Sequence, residues 1–267
     1  MVCYFVCIHD SGIRFCVRIR GFRMIFDTHA HYEDAQFDPD RDQVIQGLHE
    51  SGIGMVADAA SDLATTKQIL KLAHQYDFIY AVIGVHPSET EVLDETQMAW
   101  LDRQCHDSKT VAVGEIGLDY HYPEPAPEFQ KKWFCRQMEM ARQNGLPIVV
   151  HSRDAAKDTL DVMKAAHAEE IGGDIHCFSY GKEMAREYLN MGFFLGIGGV
   201  LTFKNARKLK EVVAYAPIES LVLETDCPYL APEPHRGSRN SSANLPLVVK
   251  AIAEIKKMEY DKVVEIT

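Results

Sequence analysis

Two histidines separated by one residue stand directly after the apolar segment 24–26, in the run Asp27-Thr28-His29-Ala30-His31. Residues two apart in an extended segment point to the same side, so His29 and His31 can direct their imidazoles at one point. Neutral imidazole is the commonest metal-binding side chain, and this spacing therefore favours a metal site. The pair alone is equally compatible with two histidines at a strand–loop boundary that bind nothing, so residues elsewhere must decide.

Side chains of the same chemical kind follow most of the later apolar segments. They are Asp58, His86, Glu115, His151, His176, Glu224 and Asp226. With His29 and His31 included, five of the 12 histidines occupy such positions. If the segments are parallel strands, these groups meet at one end of the sheet, where enclosing them is costly unless they pair or bind metal. The set therefore predicts a metal centre.

Six of these residues have the types expected of metal ligands: His29, His31, Glu115, His151, His176 and Asp226. Six ligands exceed the four of one tetrahedral zinc site but suit two divalent ions that share a bridging carboxylate. We expect Asp27 and Asp58 to orient neighbouring groups by hydrogen bonds instead of binding metal. For His86, structural packing and contact with substrate are equally open. Cys177 and Cys227 each follow a candidate ligand, but adjacent strand residues face opposite ways, which disfavours thiolate ligation.

Short apolar segments alternate with helical patterns from residue 24 onward. Strands are predicted at 24–26, 55–57, 79–85, 110–114, 147–150, 173–175, 193–197 and 220–223. Helices are predicted at 41–51, 63–75, 97–105, 127–144, 155–168, 183–191, 203–214 and 240–257. Strict alternation implies parallel strands, and eight units most simply close into a (β/α)8 TIM barrel, an α/β fold. An open doubly wound sheet is the alternative, which is disfavoured because DTHAH stands where its glycine-rich phosphate loop would be.

The composition is that of an ordinary globular protein, with 267 residues, 46% of them hydrophobic and 25% charged. No apolar segment approaches the ~20 residues that span a bilayer, so no membrane association is expected. A net charge of −11 argues against a protein that coats nucleic acid through a basic surface. It does not exclude an enzyme acting on phosphodiesters, because bound cations supply local positive charge. The seven cysteines form no CxxC motif, which predicts reduced thiols and a cytoplasmic location.

Residues 1–23 differ from the rest of the chain in charge. They contain four arginines and one aspartate, hence a formal charge of +3. Their apolar residues precede the arginines, the reverse of the order in a signal peptide. We therefore expect a disordered or artefactual leader at 1–23, followed by a single TIM-barrel domain at 24–267 that begins naturally at Met24. The helical pattern starting at 261 suggests that the domain is truncated at its C-terminus.

Six characteristic segments occur in order over residues 24–267: DTHAH, GVHP, GEIGLDY, PIVVHSRDA, IHCFS and ETDCPYLAPEPHRGSRN. Together they resemble the TatD family of metal-dependent deoxyribonucleases in the amidohydrolase superfamily. The resemblance implies that the six residues named above are the metal ligands, with two ions of Mg²⁺, Mn²⁺ or Zn²⁺. It also implies that the substrate is DNA and that the protein acts as a 3′–5′ exonuclease on single-stranded ends. Tyr180 stands where the family more often has glycine, a difference expected to affect the shape of the loop that follows IHCFS.

A hypothesis for the metal pair follows from this assignment. The first ion would be bound by His29, His31, Glu115 and Asp226. The second ion would be bound by Glu115, His151 and His176. Glu115 would then bridge the two ions, in the position where many related hydrolases have a carboxylated lysine.

The remaining roles concern water and phosphate. Asp226 would orient or deprotonate the attacking water, and Glu115 would hold both ions in place for that step. His86, Arg236 and Arg239 are expected to contact the phosphate of the substrate. No obligate protein partner is evident.

Two other functions are compatible with parts of this pattern. A dinuclear amidohydrolase acting on a small amide, lactone or phosphoester would use the same metal pair, because one barrel fold hosts many reactions. A metal-binding scaffold without catalytic activity would be expected to lack some ligands, whereas all six are present. Activity on DNA compared with a panel of amides and lactones separates these functions.

Overall fold

Eight parallel strands form a nearly closed barrel in the computed structural model, which describes residues 4–9, 12–17 and 24–267. The barrel strands of this described part are β1 (Ile25–Ala30), β2 (Ile53–Ala59), β3 (Ile79–Ile83), β4 (Thr110–Asp119), β5 (Ile148–Arg153), β6 (Gly173–Ile175), β7 (Phe194–Ile197) and β8 (Leu221–Leu223). Each strand pairs in parallel with the next one along the chain. The predicted (β/α)8 TIM barrel is confirmed.

The first and last strands meet at the carboxyl end of the barrel. The hydroxyl of Thr28 donates to the carbonyl of Leu223 at 3.0 Å. Beyond the end of β8, the backbone N–H of Asp226 donates to the carbonyl of His29 at 2.9 Å, and that of His31 donates to Cys227 at 2.8 Å. These bonds bring two of the candidate ligand segments, which are almost 200 residues apart, into direct contact.

Helices lie between the strands in the predicted order. They are α1 (Arg41–Gln46), α2 (Leu63–Gln75), α3 (Glu95–Gln104), α4 (Pro127–Asn144), α5 (Ala156–Ala165), α6 (Lys182–Asn190), α7 (Arg207–Tyr215), α8 (Leu245–Lys256) and α9 (Tyr260–Ile266). The helix predicted at 240–257 begins five residues later, because Asn240 donates from its side chain to the carbonyl of Thr225 and Ser242 donates to Asp27. These side chains hold residues 240 and 242 against the ends of the barrel strands, and a short 3-10 helix (Ser242–Asn244) precedes α8.

The fourth strand is longer than the predicted segment 110–114. It continues to Asp119, and after an irregularity it pairs with β5 from Ile116 opposite Val150 onward. Gly117 makes this pairing possible: it has a φ of 149°, and a Cβ atom there would lie 1.9 Å from the carbonyl oxygen of His151. Glu115 therefore lies within a strand, whereas the sequence placed it just after one.

The two ends of the chain are described to different extents. The segments Tyr4–His9 and Gly12–Val17 pair as antiparallel strands, and the rest of residues 1–23 lies outside the described residues. The division into a leader and a domain starting at residue 24 stays a prediction. Among the described helices, none combines the length and the apolar character needed to cross a membrane.

The amino end of the barrel interior is apolar. We call the cluster Phe26, Ala57, Val82, Ala112 and Val149 the lower barrel. These residues line a cavity of about 510 Å³ that opens away from the carboxyl ends of the strands. Small side chains leave this end of the barrel loosely filled.

Candidate metal centre

The two histidines of β1 direct their Nε2 atoms at one point, as their spacing predicts. The Nε2 atoms of His29 and His31 are 3.1 Å apart. The Nδ1 atom of His31 donates to the carbonyl oxygen of Ala59 at 2.8 Å, which fixes the ring with Nε2 facing the barrel interior. Both residues are buried, so solvent water does not hydrate the two Nε2 atoms.

Glu115 lies between two groups of imidazoles and offers one oxygen to each. Its Oε2 is 3.5 Å from Nε2 of His29 and 3.9 Å from Nε2 of His31. Its Oε1 is 2.6 Å from Nδ1 of His151 and 3.6 Å from Nε2 of His176. A carboxylate placed in this way can bridge two cations.

Asp226 closes the cluster from the side of β8. Its Oδ1 is 3.4 Å from Nε2 of His31 and 3.9 Å from Nε2 of His176. Two atoms bound to one ion at about 2.1 Å lie at most about 4.2 Å apart. The distances around Glu115 and Asp226 satisfy this limit, and the donors are imidazole nitrogens and carboxylate oxygens. The structure thus brings all six predicted ligands into one cluster. Within it, the ligand atoms of His29, His31 and Asp226, and those of His29, Glu115 and His176, lie close enough together to bind a divalent ion.

Two carboxylates behind the histidines hold the rings in place. Oδ2 of Asp119 is 3.0 Å from Nε2 of His151, and Oε2 of Glu224 is 3.1 Å from Nδ1 of His176. Such partners fix the tautomer and orientation of a ligating imidazole. The sequence analysis did not give Asp119 this role, although it lies four residues from Glu115 and so on the same face of the strand.

Asp27 and Asp58 hydrogen-bond to neighbouring groups, as predicted. Asp27 accepts from the hydroxyl of Thr225 and from that of Ser242, both at 2.6 Å, and Asp58 accepts from the backbone N–H of Tyr32 at 2.7 Å. Burial raises the pKa of Asp27 to about 7, although these hydrogen bonds oppose the shift. Asp27 therefore connects β1 to the loop after β8, on which Asp226 lies.

The protonation states in the centre follow from burial and from the opposing charges. Burial acts to raise the pKa of Glu115, but His176, His151 and His29 outweigh it and hold that pKa well below its usual range. Burial lowers the pKa of His29, which favours the neutral ring that a metal requires. For His176, Glu224 and Glu115 outweigh burial and raise the pKa to about 10. A metal ion must therefore displace a proton from His176.

The three residues predicted to contact phosphate have different surroundings. His86 lies beside the cluster, with Nε2 at 4.0 Å from Oε1 of Glu115 and Nδ1 accepting from the backbone N–H of Ser88. Arg239 forms a bidentate ion pair with Asp40, at 2.7 and 2.6 Å. Arg236 is exposed, and its guanidinium carbon lies 4.4 Å from the ring centre of Phe203.

The expectation that Cys177 points away from the ligands is wrong. Its Sγ lies within 4.8 Å of potential ligand atoms of His176 and Asp226. The strand β6 ends at Ile175, and Cys177 has a φ of 47°, so the alternation of a strand no longer applies. Burial raises the pKa of this thiol well above its usual value, which opposes thiolate formation.

Comparisons with known proteins agree with the motifs. The family model for TatD-related DNases matches residues 26–267. The uncharacterized metal-dependent hydrolase YabD of Bacillus subtilis is 41% identical, over 91% of this chain and 96% of that protein. The uncharacterized metal-dependent hydrolase YcfH of Escherichia coli is 30% identical, over 91% and 92% of the two chains. The crystal structure of the TatD homologue YjjV of E. coli superimposes with a TM-score of 0.85 at 28% identity, over 90% and 93%.

Proposed function

This chain belongs to the TatD-related DNase family and is a metal-dependent hydrolase, and from that premise we propose that it cleaves the phosphodiester bonds of DNA. The observation that supports the proposal most directly is the position of Glu115, whose two oxygens face separate pairs of imidazoles. This arrangement suits two ions of Mg²⁺, Mn²⁺ or Zn²⁺. A centre of that kind is well matched to in-line displacement at phosphorus.

The distances from the imidazoles to the two oxygens of Glu115 suggest how the ligand residues would divide between two ions. His29, His31 and Asp226 would hold one ion together with Oε2 of Glu115, and His151 and His176 would hold the other with Oε1. When bound, the ions would supply Lewis acidity and positive charge at the scissile phosphate. The hydrogen bond between Asp119 and Nε2 of His151 keeps the ring of His151 oriented toward Glu115.

Asp226 is the residue that we assign to the attacking water. Burial acts to raise its pKa, but a hydrogen bond from His31 and the charge of His176 outweigh it and lower that pKa. Asp226 is therefore a carboxylate at neutral pH, able to orient a water molecule and accept its proton. Nε2 of His86 lies 4.0 Å from Oε1 of Glu115 and would contact a non-bridging phosphate oxygen. Burial lowers the pKa of His86 to about 4, so it would do so as a neutral hydrogen-bonding ring.

A digestion experiment tests the proposal. The purified protein, loaded with Mg²⁺ or Mn²⁺, is incubated with 5′-labelled single-stranded and duplex oligonucleotides, and with a panel of amides and lactones. We expect progressive shortening of the single strand from its 3′ end, with no other protein required. A matched Glu115→Gln variant should leave the DNA intact. Hydrolysis of an amide or lactone by a wild-type protein that leaves DNA uncut would contradict the proposal in favour of a small-molecule hydrolase.

The proposal includes a cytoplasmic location, where thiols stay reduced. The four cysteines of the part with described side chains, Cys105, Cys135, Cys177 and Cys227, are all free. Titration of thiols in protein purified without reductant should find these four reduced. Disulfides among them would contradict the location.

A further inference from the structure

Two arginines at the carboxyl end of the barrel lie against aromatic rings and have no carboxylate partner among the described residues. The guanidinium carbon of Arg153 is 5.9 Å from the ring centre of Tyr122, and that of Arg236 is 4.4 Å from the ring centre of Phe203. A ring face orients a guanidinium group without neutralising it. Each arginine therefore keeps its full charge available for an anion.

Other arginines near the same end of the barrel are neutralised. Arg239 is paired with Asp40, and Arg207, at the start of α7, is paired with Glu211 at 2.9 Å. A paired guanidinium must give up its carboxylate before it can bind a phosphate. The contrast singles out Arg153 and Arg236 in a protein whose net charge is −11.

The two arginine–aromatic pairs lie on different sides of the metal centre. Arg153 is the last residue of β5, two positions beyond His151 on the same strand, and Tyr122 follows three residues after β4 ends. Phe203 lies in the loop after β7, and Arg236 lies in the loop after β8. Strand β6, which leads directly to the ligand His176, lies between the two sets of strands. A chain that passes over the centre from one side to the other would meet both pairs.

The aromatic members differ in exposure. Tyr122 is 56% exposed beside a T-shaped contact with His121, and its exposed ring surface is what an unpaired base can stack on. Phe203 is partly buried and serves to orient Arg236. Bases that are paired in a duplex cannot stack on a side chain in this way. A stacking ring next to a phosphate-binding cation is the arrangement used for single strands.

Resting on the proposed nuclease function, we propose that single-stranded DNA is held on both sides of the scissile phosphate by these two pairs. Arg153 and Arg236 each bind a backbone phosphate, and Tyr122 stacks on an unpaired base next to the phosphate bound by Arg153. The pairs thereby select a single strand over a duplex. None of these side chains takes part in the chemical step.

Binding and chemistry are measured separately to test this. Fluorescence anisotropy reports binding of a labelled phosphorothioate single strand to the metal-loaded protein, and methyl p-nitrophenyl phosphate, which has no base, reports the metal centre. We expect Arg153→Ala and Arg236→Ala each to weaken binding of the strand about tenfold. Each should also make the dependence of log K on log salt shallower by about 0.7. Arg207→Ala, the matched control, should change binding less than about twofold.

Abasic positions locate the stacking. Tyr122→Ala should weaken binding of the normal strand about tenfold and should have no further effect on a strand that lacks the stacked base. Arg207→Ala should hydrolyse the small diester at the wild-type rate. For Arg153→Ala, Arg236→Ala and Tyr122→Ala, the loss on the strand should exceed any loss on the small diester, which has no second phosphate and no base. Equal behaviour of Arg153→Ala, Arg236→Ala and Arg207→Ala, or an effect of Tyr122→Ala that does not depend on bases, would overturn the inference even if DNA is cleaved. Binding that depends on the pairs without any cleavage would instead refute the nuclease function alone.

Discussion

The two ends of the barrel interior are made by the same eight strands but differ completely in chemistry. At the carboxyl end, buried histidines and carboxylates crowd around Glu115 at distances of 2.6–3.9 Å. At the amino end, the lower barrel contains alanine, valine and phenylalanine around a cavity of about 510 Å³. One end concentrates charges that water no longer solvates, and the other buries apolar surface.

The difference shows how the fold separates function from stability. Residues at the carboxyl ends of barrel strands are free to specialise, because the remainder of each strand maintains the barrel. Changes at the metal centre should therefore alter activity far more than folding, and changes in the lower barrel should do the reverse. Asp174 on β6 lies between the two ends, two residues before His176, and its carboxyl group lines the lower cavity.

The largest effect is expected for Glu115→Ala. Removing the carboxylate whose two oxygens face the two groups of imidazoles should lower kcat/KM on DNA at least about 10³-fold and release bound metal. Metal content by mass spectrometry and turnover on single-stranded DNA measure the two effects. The control is Glu128→Ala on α4, whose exposed side chain is paired with Lys131. Turnover and metal content like those of the wild type in Glu115→Ala would refute the assignment.

Asp226→Asn should have the next largest effect. The amide keeps the size of the side chain but cannot accept a proton from water, so we expect kcat to fall about 10²–10³-fold. Steady-state kinetics measures this fall, with Asp161→Asn on α5 as an exposed control. A change confined to KM would argue against a role in the chemical step.

Asp119→Asn tests the support behind the metal centre. Loss of the charged partner of His151 should reduce metal affinity or activity about 10–100-fold. Competition with a chelating dye reports the affinity, and excess metal should restore most of the activity. If excess metal restores nothing, Asp119 acts on substrate and does not act by orienting His151.

Val82→Ala tests the opposite end of the barrel. Removing two methyl groups from a fully buried side chain should cost roughly 1.5 kcal/mol and lower Tm by about 3–6 °C. Activity at 25 °C should stay within about twofold of the wild type, because Val82 packs in the lower barrel with Ala57, Ala112 and Val149. A thermal melt measures the change in Tm, and a DNA digestion measures the activity. A large loss of activity with an unchanged Tm would contradict the separation of the two ends.

Asp174→Asn should have the smallest effect, visible only as pH dependence. Burial, with the nearby Glu224, raises the pKa of Asp174 to about 8. A carboxyl whose pKa is raised on folding stabilises the protein below its unfolded pKa of 3.8, and this stability is lost as pH rises toward 8. Tm measured with a chelator should therefore fall between pH 5 and pH 8 by about 3 °C more in the wild type than in the variant. An equal fall in Tm with pH in the wild type and in Asp174→Asn would show that the pKa of Asp174 is not raised.

Sequence patterns predicted much of this molecule because they concern local periodicity. All eight strands and the order of the helices follow from apolar segments and the lengths between them. The six candidate ligands could be found because parallel strands bring the residues after them to one end. The extension of β4 past Gly114 was missed, because it depends on pairing with β5, and glycines alone suggest the end of a strand.

Contacts between distant segments could not be predicted from the sequence. Arg239 pairs with Asp40 across 199 residues, and no local pattern distinguishes it from Arg236, which has no such partner among the described residues. The position of Cys177 depends on one left-handed backbone angle after β6. Such details arise from packing between loops, which periodicity does not describe.

The sequence by itself determined the barrel, the histidines and carboxylates available to it, and the family to which the chain belongs. Those features depend on residue type and on spacing along one strand. Only the tertiary structure decided which oxygen of Glu115 faces which imidazoles, which carboxylates orient the rings, and which arginines keep their charge. These depend on distances of a few ångströms between segments that meet only when the barrel closes.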